Sequence, residues 1–203
     1  FNLDHGTAME DIVKAMQYGF SSVMIDASGC DFEENIRRTA LVASLAHSQG
    51  RSCEAELGHV GLASQSDNDK VDLFTNVAQA KEFVEKTGCD CLAVAIGTAH
   101  GKYPEGFVPK LDFERLKELK EELKMPLVLH GGSGAGEENI RRVVACGINK
   151  INVCTGLFRH ATNTAIQVLE KTPSIDYMDL CIEIQNAMKD FIKSYMRVIG
   201  SSG

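Results

Sequence analysis

Three histidines in this chain stand where apolar, strand-like runs give out: His5 after FNLD, His100 after CLAVAIGTA and His130 after LVL. Imidazoles arriving from separate strand ends on one rim can converge on a single ion, and three such ligands with an open fourth position describe a catalytic zinc site. Imidazole suits zinc better than magnesium and would also take cobalt or iron. Taken singly, the histidines have ordinary readings: His5 could cap a turn, and His100 and His130 could be hydrogen-bonded core groups. Asp4 directly precedes His5. Neighbouring side chains on an extended strand diverge, so Asp4 is expected beside the ion as a general acid or base, with a turn-orienting aspartate as the plainer alternative. Glu56 in CEAEL and Asp26 at the end of VMID are expected to orient a metal ligand from behind or to act as alternate ligands. Asp26 and Ser28 could equally be only the start of a turn.

Small residues follow two of these histidines. Gly101 comes after His100, and Gly131, Gly132 and Ser133 come after His130. If they lie just before helices, their peptide N–H groups form a cradle for a phosphate. The turn Asn152, Val153, Cys154, Thr155 can add further amides, and Lys102 a mobile positive charge. The stretch LVLHGGSG at 127 to 134 thus joins metal and phosphate chemistry in one turn, although by itself it is equally a tight strand-to-helix connection. His47, His59 and His160 fall on predicted helix or loop surfaces and receive no role.

The elements that must position these groups alternate strand and helix. A strand ends at Asp4-His5-Gly6. Thr7 and Glu10 are expected to form a capping box for a first helix carrying Met9, Ile12, Val13 and Met16. Ser22 to Ile25 reads as a buried strand, and Asp31 with Glu34 caps a second helix that Gly50 stops. Cys53 to Leu57 is the next strand, unusual in carrying two glutamates. Residues 58 to 74 are polar and aperiodic, as a mobile loop would be. Asn76 and Gln79 open a third helix, CLAVAI at 91 to 96 is a continuous apolar strand of the kind covered on both faces, and Asp112 caps a fourth helix. After LVLHGGSG come a helix around Ile140 and Val143, a last strand at Ile151 to Val153, a helix near 157 to 169 and an amphipathic one at about 177 to 199. Six strand–helix repeats predict an α/β fold with a parallel sheet, because parallel neighbours need crossover connections. A doubly wound sheet accepts six strands. Polar residues at every strand C-terminus favour a (β/α)8 TIM barrel, in which those ends make one active-site face. On that reading residues 1–203 are one barrel domain with the first two strands missing. The chain is then expected to be part of a longer polypeptide, or to have its gap covered by a partner chain.

Composition narrows the partners. A net charge of −7 speaks against nucleic acid, whose binders show a basic face, and leaves a small anion possible. No apolar run approaches the ~20 residues needed to span a bilayer. Seven cysteines, odd in number and without a regular framework, fit a reducing cytoplasmic setting. Cys89 and Cys91 read as core packing.

NLDHG at 2 to 6, MIDASGCDFEENI at 24 to 36, CEAELG at 53 to 58, FVEKTGCDCLAVAIGTAHGKY at 83 to 103, LVLHGGSG at 127 to 134 and KINVCT at 150 to 155 together resemble the class II, zinc-dependent fructose- or tagatose-bisphosphate aldolases. The resemblance runs nearly end to end with the motifs in order. It implies reversible cleavage of a ketose 1,6-bisphosphate to dihydroxyacetone phosphate and glyceraldehyde 3-phosphate by a homodimer or homotetramer. The zinc histidines fall on His5, His100 and His130, the catalytic aspartate on Asp4, and substrate or phosphate contacts on Gly101, Gly131, Ser133, Asn152 and Thr155. Zn2+ is the implied cofactor, with a monovalent cation near the phosphate as a further candidate. Two departures stand out. Asn2 replaces the family's usual histidine, and the loop after ELG reads HVGLASQSDNDKVD, without the family's Gly-Gly and Glu-Asp pairs. Asp67 or Asp69 is a candidate to substitute for the loop acid. The runner-up expectation is therefore a relative that binds metal and phosphate but catalyses poorly, and a metal-dependent hydrolase comes third.

Overall fold

The computed structural model describes residues 1–58, 60, 74–101, 103–104 and 106–201. Six parallel strands run in simple sequence order across one sheet: β1 (Asn2–Gly6), β2 (Ser22–Ile25), β3 (Ser52–Leu57), β4 (Cys91–Val94), β5 (Leu127–Leu129) and β6 (Ile148–Ile151). Between them lie α1 (Met9–Gln17), α2 (Phe32–Ser48), α3 (Val77–Thr87), α4 (Phe113–Leu123) and α5 (Glu137–Ala145). The pair α6 (Thr155–Lys171) and α7 (Tyr177–Val198) completes the described fold.

The sheet has two chemically different faces, set by the alternation of each strand. Val23, Ile25, Cys53, Ala55, Leu57, Leu92, Val94, Leu127, Leu129 and Ile148 point outward into two apolar clusters against the helices. The helices meet them with Ile12 and Met16, Val42 and Ala46, Phe83, Leu116 and Leu119, and Ile140 and Val143. The opposite parity, including Met24, Glu54, Glu56, Ala93 and Val128, is also buried. A sheet covered outside by helices and filled inside by its own side chains is an incomplete TIM barrel, six strands of the eight. Its curl is strong enough for Asn152, just past β6, to donate from Nδ2 to Asp4 Oδ1 on β1 at 2.7 Å.

Several boundaries differ from the expectation, each for a local reason. Helix α1 starts at Met9 with Ala8 as its cap and no side-chain bond, so Thr7 lies one residue too early to cap, and Glu10 pairs with Lys14 instead. Strand β4 stops at Val94. Beyond it the backbone of Ala95 and Ile96 is taken by Thr75 and Asp112 rather than by the ladder. The last strand sits three residues earlier than Ile151 to Val153, because its partner β5 ends at Leu129, which still accepts from Asn152 N. The caps at Asp31, Asn76 and Asp112 are as expected, each side chain accepting from the amide three residues on. The predicted loop of residues 59 to 73 lies outside the described residues except for Val60, and with it His59, Asp67 and Asp69.

Candidate active site and metal centre

Strand β1 carries the first decisive irregularity. Leu3 pairs with Val23, but Gly6 pairs with Ile25, so β1 spends one residue more than β2 across the same span. This bulge holds Asp4 and His5, and His5 adopts a left-handed backbone at φ 50. Bulges re-aim side chains, and a non-glycine residue in that region costs about 1–3 kcal/mol that surrounding contacts must offset. Asp4 and His5 therefore do not diverge as an ideal strand predicts: both line one cavity, with Asp4 Oδ1 4.0 Å from His5 Nε2.

The three predicted histidines converge. Ring centroids of His5 and His130 lie 4.5 Å apart, His5 and His100 5.0 Å, and His100 and His130 6.0 Å. One donor atom from each lies within 4.8 Å of the others. Two of the rings are held from behind by carboxylates. Asp26 Oδ2 lies 2.7 Å from His5 Nδ1, and Glu54 Oε1 lies 3.0 Å from His130 Nε2. With protons on those two nitrogens, His5 Nε2 and His130 Nδ1 present lone pairs to each other across 2.9 Å. Glu56 Oε2, on a side chain only 3% exposed, adds a buried oxygen with no hydrogen bond, 3.3 Å from His130 Nδ1. Facing lone pairs beside an orphaned buried carboxylate oxygen form a donor set that fits a divalent cation such as zinc. His5, Asp26 and Glu56 form a second such group around the shared His5.

Electrostatics follow the same partners. The hydrogen bond to Asp26 raises the His5 pKa, and the same bond holds Asp26 well below the usual carboxylate range. Burial works against a charge on His130, but the hydrogen bond to Glu54 and the negative charge of the nearby Glu56 outweigh it and lift its pKa to about 9. His100 lacks such support. Burial, then the neighbouring His5, lowers its pKa.

The predicted phosphate residues gather on the other side of His5 and His100. Asp4, Gly101, Gly131, Ser133, Asn152, Cys154 and Thr155 line a cavity of about 190 Å³ with them. Its walls are loops pressed together and tied by hydrogen bonds between side-chain hydroxyls and backbone. Gly131 sits at φ 67 so close to Ala99 that a Cβ would stand 2.7 Å from the Ala99 carbonyl. Thr98 Oγ1 donates to His130 O, Ala99 N donates to Tyr103 Oη, and Gly156 N donates to Ser133 Oγ. Helix α6 begins at Thr155, two residues earlier than expected, which brings Cys154 and Thr155 to its N-terminal end at the cavity. Gly132 packs on Ile151 and Tyr195 rather than lining this cavity. Val153 likewise faces a separate cavity beside α7. Lys102 lies outside the described residues. On the far side, His5, Thr7, Asp26, Ser28, Glu56 and His100 line a larger space of about 530 Å³.

Glu54 is the residue that reading the sequence missed. Its signal was present, since two glutamates alternate in one buried strand, but only Glu56 was singled out. Both are at most 2% exposed, and Glu54 reaches the metal-side histidine directly. His47 pairs with Asp90, and His160 lies against Phe191, both away from the histidine cluster.

Known proteins share this architecture. The family model for class II fructose-bisphosphate aldolase matches residues 1–203. The crystal structure of the YdjI aldolase from Escherichia coli K12 is 38% identical, with a TM-score of 0.85 over 100% of this chain and 69% of that one. A structure solved as a candidate fructose-1,6-biphosphate aldolase from Coccidioides immitis is 33% identical, with a TM-score of 0.84 over 100% of this chain and 71% of that one. The fructose-bisphosphate aldolase of Campylobacter jejuni, at 21% identity, shares the fold with a TM-score of 0.80 over 98% of this chain and 69% of that one. With the family match spanning every residue, the chain belongs to the class II fructose-bisphosphate aldolase family.

Proposed function

We propose that the chain is a zinc-dependent ketose-bisphosphate aldolase that reversibly cleaves fructose 1,6-bisphosphate or tagatose 1,6-bisphosphate to dihydroxyacetone phosphate and glyceraldehyde 3-phosphate. The observation that carries this reading is the meeting of three histidines from three strand ends with the carboxylate of Asp4 on the rim of a loop-walled cavity. His5, His100 and His130 would hold the ion. Zinc bound there supplies Lewis-acid polarisation of a carbonyl.

Every other task falls to the chain. Amides of Gly101, Gly131, Ser133 and the Asn152 to Thr155 turn, with Lys102, hold the C1 phosphate, and a monovalent cation beside it would share its charge. Fixing that remote charge sets the position of the carbons that react. Asp4 takes the C4 hydroxyl proton in cleavage and returns it in condensation. Asn152 donates to Asp4 Oδ1 and so holds the carboxylate toward the cavity. The roughly 530 Å³ space beyond His5 accommodates the aldehyde half. Asp26 and Glu54 keep two histidine rings oriented from behind.

The same reading takes residues 1–203 as one barrel-type domain, completed to eight strands from outside the six seen here and working in the cytoplasm as a homodimer or homotetramer. Among the described residues both outer strands, β1 and β6, have a single strand neighbour, and α6 and α7 expose Phe158, Ile182 and Met196. Light scattering of the purified protein tests the assembly, and a monomer at working concentration overturns it.

Metal content followed by a coupled cleavage assay on both bisphosphates tests the activity. The expected result is about one zinc per chain and turnover that chelation abolishes. Asp4→Ala should lower kcat about 10²- to 10⁴-fold with metal retained. Bound zinc without turnover of either ketose would favour the metal- and phosphate-binding relative, and loss of metal in Asp4→Ala would make Asp4 a ligand.

A further inference from the structure

Lys150 has no part in the roles above, yet its half-buried side chain carries the ammonium to the buried Glu54 carboxylate inside the curled sheet. Its Nζ donates to Glu54 Oε2 at 2.8 Å and to Asn152 Oδ1 at 2.7 Å. Each of these partners has a second bond into the site. Glu54 Oε1 accepts from His130 Nε2 at 3.0 Å, and Asn152 Nδ2 donates to Asp4 Oδ1 at 2.7 Å. One ammonium on the edge strand β6 thus stands one residue removed from a proposed metal ligand and one residue removed from the proposed base.

The donor and acceptor chemistry makes this arrangement directional. An asparagine amide can face either way, and the cation decides: Oδ1 must turn to Lys150, which leaves the NH₂ for Asp4. His130 Nε2 has two neighbours at 3.0 Å, Glu54 Oε1 and Asn152 Nδ2. Against the carboxylate Nε2 acts as donor, and Nδ1 then turns a lone pair toward His5. Against the amide Nε2 acts as acceptor, and the proton moves to Nδ1, where it blocks a metal. A Glu54 carboxylate fixed by the ammonium favours the first arrangement.

We propose that Lys150 is a positioning residue for both halves of the chemistry: through Glu54 it sets the ring of His130 for metal, and through Asn152 it sets the carboxylate of Asp4 for proton transfer. This rests on the aldolase reading of His130 and Asp4. The bland alternative is a half-buried ion pair that only serves folding, since such pairs are weak evidence of anything else.

A double-mutant cycle separates the two, using the full chain with zinc affinity measured by chelator competition, the Co2+ absorption spectrum, the melting temperature, and kcat and KM on ketose bisphosphate. Lys150→Met is expected to weaken zinc binding about 10- to 100-fold, to alter the Co2+ spectrum, and to lower kcat more than it raises KM. In a Glu54→Gln background the same change should cost no further zinc affinity, because the route through Glu54 is already gone, while kcat still falls through Asn152. Wild-type zinc affinity and spectrum in Lys150→Met would overturn the proposal, as would equal losses of affinity in both backgrounds. If the single variant does not fold, the comparison of Lys150→Met/Glu54→Gln with Glu54→Gln decides alone, and equal kcat in that pair sinks the proposal. A wild-type protein that binds no metal and cleaves neither ketose would instead remove the aldolase reading itself.

Discussion

The two sides of the candidate site are built from different materials. On the proposed metal side, His5 and His130 are fixed by the side chains of Asp26 and Glu54, and His130 is fully buried. On the proposed phosphate side, main chain lines the cavity, with glycine loops pressed on one another, hydroxyls tying them together and a helix start at Thr155. The difference suits the ligands. A cation needs donors of fixed tautomer and distance, which only supported side chains supply. A phosphate spreads its charge over several oxygens and is met by many amides, none of them indispensable. Substitutions should therefore act sharply and through stability on the metal side, and more gently through affinity on the phosphate side.

His130→Ala should have the largest effect. It removes the ring between Glu54 and Glu56 and leaves two carboxylates buried without it. Breaking a buried pair in this way costs about 3–5 kcal/mol, and bound metal should be lost with it. His100 tests the idea from within the same side, because its ring has no hydrogen-bond partner among the described residues. His100→Ala should also lose metal but shift stability by less than about 1 kcal/mol. Denaturant melts of the two apo variants check the contrast, and equal destabilisation would break it.

Gly131→Ala is the strongest probe of the phosphate side. The new Cβ meets the Ala99 backbone at 2.7 Å and the residue sits at φ 67, so the loop must move. The loss of one well-aimed amide at a charged group is worth about 1.5–3 kcal/mol, which is a rise in KM of about tenfold or more, with metal content unchanged. Gly101 also has positive φ but open space around its Cβ position. Gly101→Ala should therefore raise KM less. Ser133→Ala is smaller again. It removes only the oxygen that accepts from Gly156 N, worth about 0.5–1.5 kcal/mol.

Much of this was legible in the sequence because it depends on periodicity and on residue type. Six apolar strands, their helices and the caps at Asp31, Asn76 and Asp112 carry local signals, and histidines at strand ends need only the topology to meet. What escaped was cross-strand chemistry. The Asp4 and His5 bulge depends on pairing with β2, and no pattern inside FNLDHG announces it. Glu54 and Glu56 differ in the sequence only by two positions, yet one backs a histidine and the other leaves an oxygen open, a distinction made by β5 and β6 across the interior. Gly132 and Val153 sit among phosphate-like neighbours in sequence, but the turn of the backbone sends them toward α7.

Cysteines give the smallest and most direct reading of the same contrast. Cys91 lies beneath the metal side, its Sγ 3.8 Å from Glu54 Oε2, while Cys53 and Cys89 lie in the apolar clusters between the sheet and its helices. Cys154 lies exposed on the phosphate-side cavity. Burial pushes the Cys89 thiol up to about 11 and the Cys91 thiol up to about 12, from an ordinary 9.0. The folded chain thus keeps protons that the unfolded chain releases above pH 9. The stability these thiols contribute is whole below that pH and falls as pH rises toward 11 and 12, by about 1.4 kcal/mol per pH unit for each thiol. Urea midpoints measured from pH 8 to 10 should stay level to 9 and then drop. At pH 8 a thiol reagent should modify the exposed Cys154 well before the buried Cys53 and Cys89 and the half-buried Cys91, and inorganic phosphate should slow the Cys154 reaction. Labelling of Cys91 as fast as Cys154 in the folded protein would show the floor of the metal side to be as open as the phosphate loops, and the contrast between the two sides would fail there.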